Sequence, residues 1–310
     1  MPPTVDEIEA HGGRVGDWSK VGPHYDALRL SMAAKLEREW PGRRGAFTSV
    51  DGGRGLVLGI YKAAENALGA ARLLMADKPA YPARKPEYAL AATPLSRQIL
   101  EALCTIVFLF KDFPGNVDLH YKSGWRDIVE NTKRMKAAYA TDPEWQDYIA
   151  GHEAMIQHGI TTFGITPEEQ ANPRKIKEFP SIGGMKRALR EGSDRHKYIS
   201  YLDDFFYRSF SQDSHHHFTG VAKAVSFLVP GQRPEDERLR GLEILRTRQV
   251  DASVTMMLAL ITELELELKF GLADQAKVLW SMFADFSADA EEIYDKFYAR
   301  MLGARSPLIG

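Results

Sequence analysis

The chain has 310 residues, of which 44% are hydrophobic and 26% are charged, and its formal net charge is −2. This is the composition of a folded globular protein, and it excludes binding to nucleic acid through a strong overall positive charge. The single cysteine, Cys104, lies in an apolar run and cannot form an internal disulfide or a cysteine-rich zinc site. We therefore expect no disulfide partner and a reducing compartment.

Two further features bear on location. Residues 1–14 carry acidic side chains and have no apolar core, which argues against a signal peptide. The longest apolar stretch, residues 254–264, is too short and too closely flanked by acidic residues to span a bilayer. These patterns predict a cytoplasmic protein with no membrane partner.

Apolar residues recur with a helical period through most of the chain, and no alternating strand pattern of useful length occurs. Residues 1–22 are rich in glycine and proline without a sustained period, which predicts a flexible N-terminal arm. Residues 23–310 predict a single all-α domain, a multi-helix bundle. The predicted helices cover residues 24–40, 56–76, 93–111, 118–139, 143–157, 194–217, 218–227, 235–270 and 273–301.

Local signals mark several helix ends. Thr93-Pro94 and Asp142-Pro143 each predict an N-cap followed by a proline in the first turn. Gly271 is typical of a residue that ends a long helix. Residues 159–184 carry three prolines and predict a long connection with about one helical turn, and they are the sub-boundary if the bundle divides.

The most chemically suggestive stretch is the polar run from Tyr207 to His217. On an unbroken helix Arg208, Ser211 and His215 lie along one face, with Arg208 and His215 roughly 20° apart and Ser211 within roughly 60° of both. An imidazole can take a proton from a ribose 2′-hydroxyl, and a guanidinium can bind a phosphate through two hydrogen bonds. This ridge therefore carries nearly the minimum set of groups that metal-free RNA cleavage requires.

The same run has other interpretations. Arg208 follows Asp204 by four residues, which is also typical of an ion pair within a helix, with the histidines at the negative end of that helix. The three consecutive histidines diverge by about 100° per residue and cannot converge on one metal ion. Asp213 and His217 are better spaced but need a carboxylate from another helix. We predict no metal site and no cofactor.

Arg97 and Glu101 form a second pair, spaced four apart near the start of the predicted helix 93–111. Such a pair either forms an ion pair within its helix at the margin of the core or orients a catalytic group across the helix bundle. A basic run, Lys186-Arg187 with Arg190, precedes the polar run and predicts a local basic rim.

Two other patterns predict ordinary helix faces. The alternating acids Glu263, Glu265 and Glu267 predict a solvated face. The aromatic residues just before and within the polar run predict a core-facing stripe; they are Phe205, Phe206, Tyr207 and Phe210.

Two motifs taken together resemble a family of bacterial helical proteins, the domain-of-unknown-function family 5677. The first motif is Ser96-Arg97-x-x-x-Glu101, and the second is Tyr207-x-x-x-Ser211-x-x-x-His215. The resemblance covers roughly residues 56–228. It implies that the arginine and glutamate of the first motif and the tyrosine, serine and histidine of the second are the characteristic polar residues. It implies no particular activity.

The chain also resembles the HEPN nucleases, whose signature is an arginine, four to six residues, and then a histidine. Six residues separate Arg208 from His215, and Ser209 stands where asparagine, aspartate or histidine is commoner. HEPN enzymes are small helical bundles that dimerise so that two motifs face one cleft. The resemblance implies a HEPN-like core with additional N- and C-terminal helices, a homodimer and an RNA substrate.

The leading hypothesis from the sequence is a HEPN-like, metal-independent endoribonuclease that acts as a toxin or defence effector. His215 would act as the base and Arg208 would stabilise charge on the phosphorane, while Ser209 and Ser211 would position the phosphate. Supporting roles are predicted for Tyr207, Arg97 and Glu101. The alternatives are a non-enzymatic helical interaction module and a metal-dependent hydrolase.

Overall fold

The computed structural model describes residues 18–40, 50–75, 87–214, 218–229, 231–285 and 287–303, and over these residues the fold is all-α without a β-strand. The prediction of an all-α multi-helix bundle is therefore confirmed. The helices in chain order are α1 (Trp18–Arg38), α2 (Val50–Met75), α3 (Tyr88–Leu109), α4 (Gly115–Tyr139), α5 (Pro143–Thr162), α6 (Pro167–Ala171), α7 (Ile182–Ala188), α8 (Asp194–Leu202), α9 (Arg208–Ser214), α10 (Phe218–Leu228), α11 (Glu235–Leu268), α12 (Ala273–Ala284), α13 (Ala288–Ile293) and α14 (Ala299–Leu302). Shorter helical turns join them, with 3₁₀ geometry at Phe110–Asp112 and Pro173–Lys175 and π geometry at Asp203–Tyr207 and Tyr294–Tyr298.

Helix α3 lies at the centre of the bundle, packed between α2 and α11. Its C-terminal half is almost fully buried, and the middle of α11 is buried on every side. A helix that is surrounded in this way is apolar all round instead of amphipathic. Cys104 lies fully buried in this core, and burial raises the pKa of its thiol far above the usual range. The thiol therefore packs as a small apolar side chain.

The central position of α3 accounts for its composition. The segment Tyr88–Asp112 is long and apolar enough to cross a membrane, with a mean hydropathy of 1.3, but 61% of its most apolar stretch is buried inside the protein. The core helix of a folded bundle has the same length and composition as a membrane span, so this segment does not by itself locate the protein.

The start of α3 differs from the prediction. The helix begins at Tyr88, so Thr93 is not its N-cap and Pro94 lies inside the helix. The hydroxyl of Thr93 is buried and accepts a hydrogen bond from Nε2 of Gln249 at 3.1 Å. The preceding turn is helical because Ala89 and Ala92 are buried against neighbouring helices, and this packing outweighs the local proline signal.

The N-terminal boundary also differs. Helix α1 begins at Trp18, so residues 18–22 belong to a helix and not to the predicted arm. Val21 explains the difference because its side chain is buried in the main core. Residues 1–17 of the predicted arm lie outside the described residues.

The connection 159–184 carries more helix than predicted. Helix α5 begins after Asp142, whose side chain accepts a hydrogen bond from the backbone N–H of Glu144 at 3.1 Å, so the predicted N-cap is confirmed. The helix continues to Thr162, and α6 and a 3₁₀ turn follow. Side chains of this segment pack on α4 in a second, smaller apolar cluster built around Trp125, Ile165 and Ile176.

The predicted solvated acidic face on α11 is wrong for two of its three residues. Glu263 is only 8% exposed and Glu265 only 4%. The carboxylate of Glu265 accepts hydrogen bonds from the backbone N–H groups of Phe270 and Gly271, both at 3.0 Å, and thereby closes the turn after the helix. The two acids are buried because neighbouring helices cover α11 on all sides near its end. Glu265 has the backbone N–H groups as partners, and Glu263 lies beside Tyr298 and Arg195.

Candidate functional site

The described part of the polar run, Tyr207–Ser214, is formed by the last residue of the π turn Asp203–Tyr207 and by α9, and both continue from α8 without a break. A π turn contains one more residue than an α-helical turn and is found frequently at functional sites. It divides the predicted aromatic stripe, because Phe206 and Phe210 are buried whereas Phe205 is 61% exposed. The prediction of a core-facing stripe is therefore wrong for Phe205.

The structure brings the two predicted motifs together at Tyr207. The guanidinium of Arg97 donates from Nε to Oε1 of Glu101 at 2.9 Å and from Nη2 to the Tyr207 hydroxyl at 2.9 Å. Its central carbon also lies 4.9 Å from the centre of the Tyr207 ring, within the range of a cation–π contact. Arg97 thus links α3 to the π turn, and the predicted ion pair between Arg97 and Glu101 is confirmed. That the pair orients a catalytic group stays a prediction.

Arg208 lies next to this cluster in the chain but points to solvent. Its side chain is 65% exposed, and its Nη2 lies 3.0 Å from Oδ1 of Asp204. Nζ of Lys186, from α7, lies 3.6 Å from the other carboxylate oxygen of Asp204 and 3.8 Å from the carboxylate of Asp203. One exposed carboxylate is therefore shared by two cations from different helices, and we call Lys186, Asp204 and Arg208 the exposed charge cluster.

The two serines predicted to position a phosphate occupy different surroundings. Ser211 is half-buried. Ser209 is exposed on one side and lines a cavity of about 30 Å³, which has room for about one water molecule, together with Arg248 and Asp289. Burial raises the pKa of the Asp289 carboxyl above its usual range. Ser209 and Arg208 thus point in different directions, as neighbours on a helix do.

The histidines of the polar run lie outside the described residues, which stop at Ser214 and resume at Phe218. The predicted ridge is therefore described at Arg208 and Ser211 but not at His215. His217 and the side chain of Asp213 lie outside the described part as well, so the predicted metal alternative is untested there. Within the described residues no group of histidine, cysteine, aspartate and glutamate side chains could hold a metal ion.

Two charged features of this region were not assigned from the sequence. Lys186 was predicted only as part of a basic run, and its contact with Asp204 depends on how α7 packs beside the π turn. The buried carboxyl of Glu263 was assigned to a solvated face. The long apolar run that precedes it on α11 is the signal that could have found it, because an acid that continues a buried segment requires a partner.

No protein-family model, curated protein or solved structure matches this chain. The resemblances to the domain-of-unknown-function family 5677 and to the HEPN nucleases therefore stay predictions, and the function is argued from the geometry of the site.

Proposed function

We propose that this protein is a HEPN-like, metal-independent endoribonuclease, a cytoplasmic toxin or defence effector that acts as a homodimer. The observation that carries the proposal is the exposed guanidinium of Arg208, which is paired with the exposed carboxylate of Asp204 beside a second cation, Lys186. His215 serves as the base on the ribose 2′-hydroxyl, and Arg208 stabilises the charge that develops on the phosphorane.

The exposed charge cluster can exchange one anion for another at little cost. An ion pair between exposed side chains contributes about 0–1 kcal/mol, so the contact between Arg208 and Asp204 is easily given up. A phosphate accepts two hydrogen bonds from one guanidinium and is a stronger partner than a single carboxylate oxygen. An RNA phosphate that displaces Asp204 would meet Arg208 and Lys186 together.

The cluster of Arg97, Glu101 and Tyr207 has a positioning role in this proposal. Tyr207 is the residue directly before Arg208, and its hydroxyl and ring are both held by Arg97. This contact fixes the rotation of α9 about its axis relative to α3. The direction in which Arg208 leaves the helix is then set before RNA arrives, which lowers the entropy cost of binding.

The charge of the chain limits how RNA is held. With a net charge of −2, the protein has no overall positive field, so contact with RNA must be local. Lys186 brings a second positive charge to the carboxylate that Arg208 contacts, and Arg187, the next residue of α7, is exposed. A homodimer that places two such surfaces across one cleft doubles the local charge and explains how a weakly acidic chain grips a polyanion.

The test is RNA cleavage by the purified protein in the presence of a chelator. Wild type is incubated with total RNA beside three variants: His215→Ala, Arg208→Gln and, as a matched control, Lys197→Gln, which changes an exposed cation on α8. We expect wild type and Lys197→Gln to degrade RNA and the other two variants to be inactive with unchanged circular dichroism spectra. Identical RNA integrity with wild type and His215→Ala, in all buffers, would sink the proposal.

A second function is supported by a different observation. The side chains of Arg97, Glu101 and Tyr207 satisfy one another, as they would in a purely structural network of a helical interaction module. On this alternative His215→Ala lowers the thermal stability, and Tyr207→Phe lowers the unfolding free energy by about 0.5–1.5 kcal/mol for the lost hydrogen bond. The alternative fails if His215→Ala melts like wild type while expression of the wild type is toxic.

A further inference from the structure

A second cavity, with a volume of about 430 Å³, lies at the C-terminal end of α11. It is formed between α11, α8, the residues that follow α7, and the π turn Tyr294–Tyr298 with α14. Its volume falls in the range of about 300–1,000 Å³ that is usual for small-molecule sites. Arg190, from the predicted basic rim, lines it, but Arg208, Lys186, Ser209 and Ser211 do not, so this cavity is separate from the exposed charge cluster.

The walls of the cavity are apolar and partly aromatic. Leu189, Leu266, Phe297 and Met301 line it, with the ring of Tyr198 packed 4.9 Å from that of Phe297. Tyr198 is buried, whereas Met301 is 51% exposed and lies where the cavity opens to solvent. An apolar lining of this kind favours a ligand with an apolar body.

The charged groups of the lining leave an excess of positive charge. Arg195 is paired with Glu267, and Asp194 is paired with Arg300. Lys111 donates to the backbone carbonyl of Ala188 at 2.5 Å, a contact that leaves its charge uncompensated. Arg190 is exposed and forms no ion pair within the described part of the chain. Lys111 and Arg190 are therefore two cations without a matching anion.

A buried carboxyl group, that of Glu263, completes the cavity. Burial raises its pKa to about 7, and this effect exceeds the opposing effects of a hydrogen bond with Tyr298 and of the positive charge of Arg195, while Glu267 raises the pKa further. The Tyr298 hydroxyl is also 2.6 Å from that of Tyr198. Near neutral pH this carboxyl exists in both forms, and in its neutral form it adds no negative charge to the cavity.

We propose that this cavity binds a small monocarboxylate with an apolar body. The carboxylate of the ligand lies between Lys111 and Arg190, and its apolar body packs against Leu266 and Phe297. A guanidinium matches the geometry of a carboxylate through two parallel hydrogen bonds. An organic amine would be repelled by Lys111 and Arg190, whose charges are not compensated, so the charge balance favours the acid over the amine.

The proposal is tested by titrating the full-length protein with three probes of equal chain length: octanoate, octan-1-ol and octylamine. We expect octanoate to bind at least about tenfold more tightly than octan-1-ol and octylamine more weakly than both, since about 1.4 kcal/mol from one charged contact corresponds to a factor of ten. Equal binding of octanoate and octan-1-ol, or tighter binding of octylamine, would overturn the proposal.

Substitutions test whether Lys111 and Arg190 bind the carboxylate of the ligand. Lys111→Gln and Arg190→Gln should each weaken octanoate binding about tenfold and leave octan-1-ol binding unchanged. The control is Lys197→Gln, an exposed cation on α8 that does not line the cavity, and it should bind both probes as wild type does. Octanoate binding that is unchanged in both lining variants refutes the assignment.

The pH dependence gives an independent readout. Tyr198, Tyr298, Arg195 and Glu267 face Glu263, and burial raises the pKa of both tyrosines well above the usual value, so they stay protonated between pH 6 and 8. Ionisation of Glu263 then adds a negative charge to the cavity, so octanoate binding should weaken as the pH rises through 7. Glu263→Gln should bind octanoate with an affinity that does not change over this range. A wild-type affinity that rises with pH contradicts the proposed site.

Discussion

Replacing Glu263 with glutamine should stabilise the protein above pH 7 and leave its stability nearly unchanged near pH 4.5. Burial raises the pKa of this carboxyl in the folded protein from 4.5 to about 7. Between these two values the folded state holds a proton that the unfolded state has released. The stability that Glu263 contributes is therefore fully present below pH 4.5 and is lost as the pH rises through 7. Glutamine cannot ionise, so the variant does not lose this stability as the pH rises.

The size of the effect follows from the same values. A rise from 4.5 to about 7, at about 1.4 kcal/mol for each tenfold change in proton affinity, corresponds to about 3 kcal/mol. Relaxation around the ionised carboxyl and the nearby charge of Arg195 reduce it, so we expect a gain of about 1–3 kcal/mol at pH 8.

The assay is urea denaturation followed by circular dichroism at several values of pH between 4.5 and 8. The quantity of interest is the difference in unfolding free energy between Glu263→Gln and wild type, because the effects of all other titrating groups cancel in it. Glu191→Gln, which changes an exposed glutamate, serves as the control and should stay within about 0.5 kcal/mol of wild type throughout. A difference that does not vary with pH, or that falls as the pH rises, would refute the reasoning.

Two further predictions concern packing. In α5, an alanine Cβ at position 159 would lie 2.5 Å from Cδ1 of Trp125, so Gly159→Ala should lower the unfolding free energy by about 1–3 kcal/mol. An alanine Cβ at position 151 of the same helix meets no atom within 4 Å, so Gly151→Ala should raise the unfolding free energy by about 0.8–1 kcal/mol. Urea denaturation of both variants checks this, and similar effects would contradict it. Gln249→Leu removes the partner of the buried Thr93 hydroxyl and one partner of Ser96, and should cost about 1–3 kcal/mol in the same assay; a variant as stable as wild type would show that this network contributes little.

The position of most helices could be predicted from the sequence because helix formation depends on residues that are close together in the chain. The apolar period and the residues at helix ends are properties of neighbours in the chain, and they placed the end of α4 at Tyr139 and the start of α5 at Pro143. Where packing competes with a local signal, packing decides. Gly53 precedes the predicted helix 56–76 but lies inside α2, where an added Cβ would be 2.4 Å from the Phe113 ring. The glycine permits a close approach instead of ending the helix.

In the candidate site, too, helix spacing predicts some contacts, whereas others depend on how distant helices pack. The pairs Arg97–Glu101 and Asp204–Arg208 follow from spacing on a helix, so the sequence could predict them. The contact between Arg97 and Tyr207 joins residues 110 positions apart, and no local pattern shows it. The same holds for Lys186, which reaches Asp204 only because α7 packs beside the π turn.

The sequence by itself determined the all-α class, the order of the helices and the polar run from Tyr207 to His217, because each depends on short-range periodicity and residue chemistry. Only the tertiary structure decided which charges are exposed and which are buried. Arg208 lies in solvent, whereas Glu263 lies inside the protein although acids alternate around it on its own helix. The physical reason is that burial depends on which helices surround a residue, and that arrangement is set by contacts between distant parts of the chain.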